Sequence, residues 1–457
     1  MLNLFYFTIL CCLAQIGPIE DPFFKLDTLN TIYSKEGRLI ERYTYGRKES
    51  WGYQDEPESW KYWEGWDGKS PADSVIWRGK GAVNMNIDKQ NLNTFYLVPP
   101  KNPTPKSPLC VILHSANLTG FQYLARQHLI ESESLPSTQV PDDFYTLYLN
   151  STNKEWWGYR EQNVGKPSSA EKRVIDIVKW VIRKYDIDTN RVYLNGPSMG
   201  GCGALAIGLS NGDLFAAMRV TVPAGTEYLM NRLGLISEHE GDITNAGNYP
   251  FTEVDFSDPP VLVNFSSHND NWSKTQPALL NLSDWAKIPM VLSWGPFRHN
   301  SYDTPIMKYD LCRVALAFPW MDIRKNEAYP VFRNSTVDQK SPWEGEVGKF
   351  DDQGQKNAYF RWSNELDNVN SFKMKIWIDH PDIGNSDLIM PENAKTEITI
   401  RRLQKFKIEK GNKYEWSLVR NGKTQLTGII TPDDSNLLTI KELDLETIKS
   451  ELIIKPQ

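Results

Sequence analysis

The sequence has few of the features that mark nucleic-acid-binding or metal-binding proteins. Its net charge is −6 and it contains no block rich in lysine and arginine, which argues against electrostatic binding of nucleic acid. It contains no His-x-x-x-His, His-Glu-x-x-His or Cys-x-x-Cys motif, so we expect neither a metal site nor a cofactor. The acidic pairs at residues 351–352 and 433–434 are interpreted as solvated loop residues.

Cysteine is scarce, and no apolar run is long enough to span a membrane. The N-terminal run MLNLFYFTILCCLAQ is short and ends in small residues, so it resembles a secretory signal peptide cut near Ala14. We therefore predict that residues 1–14 are a signal peptide and that the protein is secreted or periplasmic, without a membrane span. The scattered cysteines beyond this run make no disulfide framework. Their apolar neighbours predict buried free thiols at Cys110, Cys202 and Cys312.

The chain divides by pattern into three further parts. Residues 50–80 are rich in Trp, Gly, Asp and Glu without a clear period, which predicts that residues 15–90 form an irregular, Trp-rich segment packed on the body. Residues 91–325 alternate strand-like and helix-like runs, as in a doubly wound, mostly parallel α/β sheet covered on both faces. Residues 326–457 contain short β-rich runs separated by turn signals such as Asn421-Gly422, which predict a β-sandwich-like domain.

The stretch RVYLNGPSMGGCG, residues 191–203, places a lone serine between glycines where a strand gives way to a helix. Gly-x-Ser-x-Gly is a short pattern and common by chance. In this context, however, it predicts a sharp turn that lifts the hydroxyl of Ser198 above the carboxyl edge of the sheet. The alternative is an ordinary glycine-rich turn whose serine caps the next helix.

The longer stretch YDIDTNRVYLNGPSMGG, with the helix before it, resembles the elbow region of secreted α/β-hydrolase esterases. The closest groups are the feruloyl esterases, the acetyl esterases and the poly(3-hydroxybutyrate) depolymerase-like enzymes. The resemblance covers roughly residues 90–310. It implies an α/β-hydrolase fold, with Ser198 as the nucleophile followed along the chain by an acid and then a histidine.

A serine hydroxyl needs a base to take its proton, and the chain has only 6 histidines. His299, in WGPFRHNSY directly after the strand-like run IPMVLSW, fits the expected order, although a loop histidine bonded to its neighbours is the alternative. His268 is the rival, but it lies in the loop where the acid belongs. Asp270 is the only carboxylate in that loop and is the predicted acid; Asp284, in the next helix, is the rival.

The oxyanion of an acyl-transfer reaction needs two backbone N–H donors. We expect one from Met199, which follows the nucleophile, and the other from Ser115 or Ala116, which follow the strand PLCVILH. Trp156 and Trp157 lie in a loop at the same predicted edge. At least one of these indoles is expected to be exposed and to stack on a sugar ring; the alternative is that both brace the loop.

These features lead to a secreted serine esterase as the functional prediction. Export, abundant tryptophan and the resemblance favour an acetyl, methyl or feruloyl ester on a polysaccharide as the substrate, with a small ester as the minimal one. A polyester depolymerase and a serine peptidase are the alternatives of the same fold. The alternative from another functional class is a non-catalytic glycan-binding protein in which the turn around Ser198 is vestigial.

Overall fold

The computed structural model describes most of the chain. The described residues are 23–28, 32–46, 48–51, 93–116, 118–129, 138–151, 156, 165–235, 256–343 and 353–457. The predicted signal peptide and Trp157 lie outside these ranges. Among the described helices, none combines the length and apolar character needed to cross a membrane.

The described elements follow the predicted change from an α/β to an all-β pattern. In chain order the strands are β1 Phe24–Leu26, β2 Ile32–Tyr33, β3 Leu39–Tyr45, β4 Thr94–Val98, β5 Leu109–Leu113, β6 Tyr145–Leu149, β7 Val192–Pro197, β8 Ala217–Thr221, β9 Val261–Ser267, β10 Met290–Gly295, β11 Tyr329–Arg333, β12 Gly354–Lys356, β13 Phe360–Asn368, β14 Ser371–Ile378, β15 Asn393–Arg401, β16 Tyr414–Arg420, β17 Lys423–Ile430, β18 Leu438–Glu446 and β19 Ser450–Pro456. The helices are α1 Gly120–His128, α2 Ser169–Lys184, α3 Met199–Leu209, α4 Glu227–Arg232, α5 Gln276–Ala286, α6 Asp303–Ile306 and α7 Asp310–Leu316.

The central sheet runs in the order β1-β3-β4-β6-β5-β7-β8-β9-β10-β12, with β2 added beside β3. The strands β6, β5, β7, β8, β9 and β10 pair in parallel, whereas β4 runs antiparallel to both β3 and β6. The part of this order from β3 to β10, in which only β4 runs antiparallel to its neighbours, is that of the α/β-hydrolase fold. The predicted fold class is therefore confirmed.

The parallel strands are continuous apolar runs because helices cover both faces of the sheet. Strand β5, LCVIL, is buried at every position, and so are β8 and β10. Helix α2 instead buries a stripe that includes Val174, Ile177, Val178 and Val181 and leaves Lys179 and Arg183 exposed, as expected for a helix on the outside of a sheet. The predicted burial of the three free thiols is confirmed at Cys110, Cys202 and Cys312.

The prediction of an irregular segment over residues 15–90 is wrong for part of that segment. Strands β1 to β3 extend the central sheet at its β4 edge, where β3 pairs antiparallel with β4. Strand β3 buries Ile40, Tyr43 and Tyr45, which pack with the sheet's aromatic core. Charged residues interrupt the alternation of apolar and polar residues in β3, so the sequence alone shows no clear strand period there. Residues 52–90 lie outside the described part of the chain.

The C-terminal part contains two antiparallel sheets, in the orders β11-β15-β18 and β13-β14-β19-β16-β17. In β14, SFKMKIWI, half-buried and buried positions alternate strictly, as in a strand with one face on a core. These sheets form the predicted β-sandwich-like domain.

The predicted boundary at residue 325 does not mark the end of the central sheet. Strand β12 returns to pair antiparallel with β10, and any side chain at Gly354 would overlap the indole of Trp294. The apolar core on one face of the central sheet also continues into the sandwich. The two parts therefore share one core.

Arginines from the sandwich bind backbone carbonyls of the α/β part. Arg401 donates to the carbonyl oxygen of Ala286 at 2.6 Å, and Arg402 donates to that of Ala216 at 3.2 Å. Both guanidinium groups are buried, so separating the two parts would expose charged groups together with the apolar surface around them.

A chain truncated after residue 325 should therefore fail to fold as a soluble protein. It would lose an edge strand of the central sheet, and it would expose the apolar face that the sandwich now covers. Solubility and far-UV circular dichroism of the truncated and full-length chains check this expectation. A soluble, cooperatively melting truncated protein would contradict the shared core.

Candidate active site

Ser198 lies in a strained turn between β7 and α3. Its φ of 54° and ψ of −123° lie outside the regions that side-chain-bearing residues normally adopt. A side chain at Gly196 would overlap the carbonyl of Gly200, and one at Gly200 would overlap the carbonyl of Leu113. The flanking glycines are therefore required by close backbone approach, and the strand, turn and helix around Ser198 follow the predicted pattern.

The structure brings Ser198, His299 and Asp270 into one hydrogen-bonded chain. Ser198 Oγ lies 2.7 Å from His299 Nε2, and His299 Nδ1 lies 2.6 Å from Asp270 Oδ2. With the Nδ1 proton donated to the carboxylate, the Nε2 lone pair can accept the serine proton. The Asp270 carboxylate is buried, and its other oxygen accepts a hydrogen bond from the backbone N–H of Trp272 at 3.0 Å. This geometry permits nucleophilic acyl transfer.

The rival residues do not join this chain. His268 follows β9, but its Nε2 is buried without a hydrogen-bond partner in the described structure. Asp284 lies on the exposed side of α5, and its backbone carbonyl accepts from Arg333. The carboxylate that reaches His299 is that of Asp270.

Asn269 holds the loop that carries His299, and the sequence analysis missed this residue. Its Oδ1 accepts from the backbone N–H of Arg298 at 2.8 Å, and its Nδ2 donates to the carbonyl of Pro296 at 3.3 Å. Arg298 has a φ of +56°, so this amide stabilises an unfavourable backbone conformation directly before His299. Nothing local in the sequence distinguishes Asn269, because its partners lie on a different loop.

Replacement of Asn269 by alanine should lower kcat by about tenfold to a hundredfold, because small displacements of a catalytic base are costly. The melting temperature should change little, since the side chain is exposed. Steady-state kinetics and thermal melts of this variant and of Asn326→Ala, an exposed asparagine elsewhere, make the comparison. Wild-type kcat in Asn269→Ala would show that the loop holds its shape without the amide.

The predicted oxyanion donors lie at the same edge of the sheet as Ser198. Met199 begins α3, where the first backbone N–H groups have no partner within the helix. Ser115 and Ala116 follow β5, and the Ser115 hydroxyl lies 2.6 Å from that of Tyr123. The geometry keeps both Ser115 and Ala116 as candidates for the second donor.

His114 supports this loop and is not available as a base. Its Nδ1 lies 2.8 Å from the carbonyl oxygen of Ser115, and its Nε2 accepts from the backbone N–H of Ser151 at 3.0 Å. Burial lowers the pKa of His114 to about 4, so the ring is neutral near pH 7. Protonation at Nε2 would place two donors face to face and introduce a buried charge.

The protein should lose stability as the pH falls from about 6.5 to about 4. A histidine in the unfolded chain has a pKa near 6.5. In the folded chain burial lowers the pKa of His114, and likewise that of His128, to about 4. In this pH window the unfolded state therefore binds more protons, and the free energy of unfolding decreases by up to about 3 kcal/mol for each ring.

Thermal melts between pH 7 and pH 4 test this expectation. The His114→Gln variant should show a smaller loss of melting temperature on acidification than the wild type. The matched variant His380→Gln, at an exposed position, should behave like the wild type. Parallel acid profiles for all three proteins would contradict the assignment of His114.

Trp156 is not the exposed indole that the sequence analysis expected from the pair Trp156 and Trp157. The side chain is fully buried, and its ring centroid lies 5.7 Å from that of His114. A Cβ placed on Gly203 would lie 3.0 Å from the Cβ of Trp156, so the tryptophan packs directly on α3. Trp156 is thus a packing residue against α3, and the prediction for Trp157 falls outside the described residues.

Trp272 is an exposed tryptophan beside the hydrogen-bonded chain of Ser198, His299 and Asp270. The sequence analysis did not single out this tryptophan. It is 40% exposed, and its ring centroid lies 6.4 Å from that of His299. It follows Asp270 by two residues in the turn Asn271–Thr275, so its position is set by the loop that supplies the acid. In the run HNDNW, Trp272 could have been recognised as an active-site residue only after Asp270 had been assigned as the acid.

Neither a family model nor a curated protein sequence matches this chain. Among solved structures, it is similar to an acetyl xylan esterase from Aspergillus awamori, with 15% identity over 42% of this chain and 75% of that chain and a TM-score of 0.33. It is similar to the fluorophosphonate-binding serine hydrolase F of Staphylococcus aureus, with 13% identity over 50% and 91% and a TM-score of 0.33. Esterase B from Lactobacillus rhamnosis gives 13% identity over 53% and 85%, with a TM-score of 0.33. Similarities this low carry no argument about activity, so function must follow from the geometry of this chain.

Proposed function

We propose that this protein is a serine hydrolase that cleaves carboxylic esters. The observation that carries the proposal is the chain from Ser198 Oγ through His299 to the buried carboxylate of Asp270, with contacts of 2.7 and 2.6 Å. A serine in a strained elbow at the start of a helix, bonded to an oriented imidazole, is the arrangement that activates a hydroxyl for acyl transfer. Glycan binding alone requires no such hydrogen-bonded chain, which favours the catalytic function over a non-catalytic one.

In the proposed reaction, His299 takes the proton of Ser198 as the serine oxygen attacks the ester carbonyl. The negative charge on the carbonyl oxygen is stabilised by the N–H of Met199 and by a second N–H from Ser115 or Ala116. Asp270 stabilises the imidazolium, which then gives its proton to the leaving alcohol. Water attacks the acyl-serine in the same way, releases the acid and restores the serine.

The preferred substrate that we propose is an acetyl, methyl or feruloyl ester on a polysaccharide, and the proposed location is outside the cytoplasm. The exposed indole of Trp272 beside His299 supports this choice, because an aromatic face suits the apolar face of a sugar ring. Export rests on the apolar N-terminal run. The mechanism as proposed requires no metal and no cofactor.

A substrate panel tests the proposal. Purified protein is assayed on acetylated xylan, methyl-esterified pectin, feruloylated arabinoxylan, poly(3-hydroxybutyrate) and a peptide amide. Release of acetate, methanol or ferulate, with none from the polyester or the amide, is the expected result. Hydrolysis of the polyester or the amide alone would transfer the assignment to a depolymerase or a peptidase. No hydrolysis of any ester would contradict the proposal.

A further inference from the structure

The segment between β8 and α4 touches the nucleophile from the side opposite the oxyanion loop. The N–H of Ala224 donates to the carbonyl oxygen of Ser198 at 2.9 Å. Three residues later Glu227 begins α4. Thr226, between them, is tied to Thr275 by two hydrogen bonds of 3.0 and 3.2 Å. The start of α4 is therefore held next to the turn Asn271–Thr275, which carries Trp272, by a segment that also bonds to the backbone of Ser198.

One oxygen of the Glu227 carboxyl group has no hydrogen-bond partner among the described residues. It lies over Gly225, whose φ of +90° and lack of a side chain make room for it. This oxygen, Oε2, is buried, whereas the side chain as a whole is only half-buried. Burial raises the pKa of Glu227, and the only opposing influences are backbone N–H groups of Thr226 and of Glu227 itself.

An unpaired carboxylate oxygen is costly to bury, so each such group in a folded protein needs an explanation. The proposed chemistry does not use Glu227, because Asp270 already orients His299. The indole of Trp272 is exposed, and it follows β9, which lies with β8 on the same side of β7 in the sheet. An apolar ring face and a hydrogen-bond acceptor side by side are suited to a compound that carries hydroxyl groups on a carbon skeleton.

We propose that Glu227 is a substrate-binding residue whose carboxyl oxygen accepts a hydrogen bond from a hydroxyl group of the ester substrate. The site then selects esters of hydroxylated compounds over esters that have no hydroxyl group. This inference rests on the proposed esterase function and adds the chemical class that the site prefers. The alternative is that Glu227 only caps its own helix through backbone N–H groups.

Two pairs of matched esters test the proposal in the full-length protein. Glyceryl monoacetate and propyl acetate differ only by hydroxyl groups in the alcohol half, and ethyl 3-hydroxybutyrate and ethyl butyrate differ by one in the acyl half. The ratio of kcat/KM within each pair is measured for the wild type, Glu227→Gln and Glu227→Ala. The variant Glu415→Gln, at an exposed position in β16, serves as the matched control.

The preference for the hydroxylated ester should fall about tenfold or more in Glu227→Ala for at least one pair, because the acceptor is removed, and should fall less in Glu227→Gln, whose amide oxygen still accepts a hydrogen bond. The pair that responds identifies the half of the substrate that Glu227 contacts. Unchanged ratios in both pairs would overturn the proposal. Equal losses on all four esters with a lower melting temperature would overturn it in favour of the capping role. If the wild type hydrolyses none of the esters, the proposed function itself fails, and this inference fails with it.

Discussion

The Ser198→Ala variant should fold like the wild type and lose about 10⁶-fold in kcat on any ester that the protein hydrolyses. Losses of this size follow removal of a serine nucleophile, because its imidazole and carboxylate partners act only through it. The alanine adopts the same strained backbone conformation at the turn as Ser198, so a folding defect does not explain the loss of kcat. Single-turnover kinetics and a thermal melt measure the two properties separately.

Ser210→Ala is the matched control for this variant. Ser210 caps the other end of the same helix, and its hydroxyl is buried without a partner among the described residues, so its removal breaks no hydrogen bond seen there. This variant should keep wild-type kcat. Substantial turnover by purified Ser198→Ala would show that another group attacks the ester.

The Asp270→Asn variant should lower kcat by about 10⁴-fold while leaving KM nearly unchanged. An amide in this place favours the wrong tautomer of His299 and cannot stabilise the imidazolium. The buried position of Asp270 and its bond to the N–H of Trp272 keep the side chain in place, so the effect is on chemistry. Steady-state kinetics on a small soluble ester give both constants.

The same substitution at Asp284 separates the two candidate acids. Asp284 lies on the exposed side of α5 and does not reach His299, so Asp284→Asn should retain wild-type kcat. A large loss in Asp284→Asn together with a small one in Asp270→Asn would mean that the wrong carboxylate has been assigned.

The elbow was predictable because its determinants are local. A strand, two glycines around Ser198 and a helix of small residues stand next to one another in the sequence, and the backbone overlaps at Gly196 and Gly200 explain why no other residue fits. Chain order then pointed to Asp270 and His299, since each follows a strongly apolar strand. Their distances to each other came only from the structure.

Features that depend on distant segments were not predictable. Trp156 looked like a surface residue in a polar loop, but it is buried because α3 offers a surface without a side chain at Gly203. Strand β12 is 3 residues long and joins the sheet only because β10 lies beside it. The roles of Asn269 and Glu227 likewise depend on partners from other loops.

Labelling with a fluorophosphonate probe tests the central claim most directly, because only an activated serine reacts with it at an appreciable rate. The full-length protein is incubated with the probe, digested, and mapped by mass spectrometry, with Ser198→Ala and heat-denatured wild type as controls. The account predicts one adduct, on Ser198, that is absent from both controls. An unlabelled wild-type protein, or an adduct on a different serine that persists in Ser198→Ala, would contradict it.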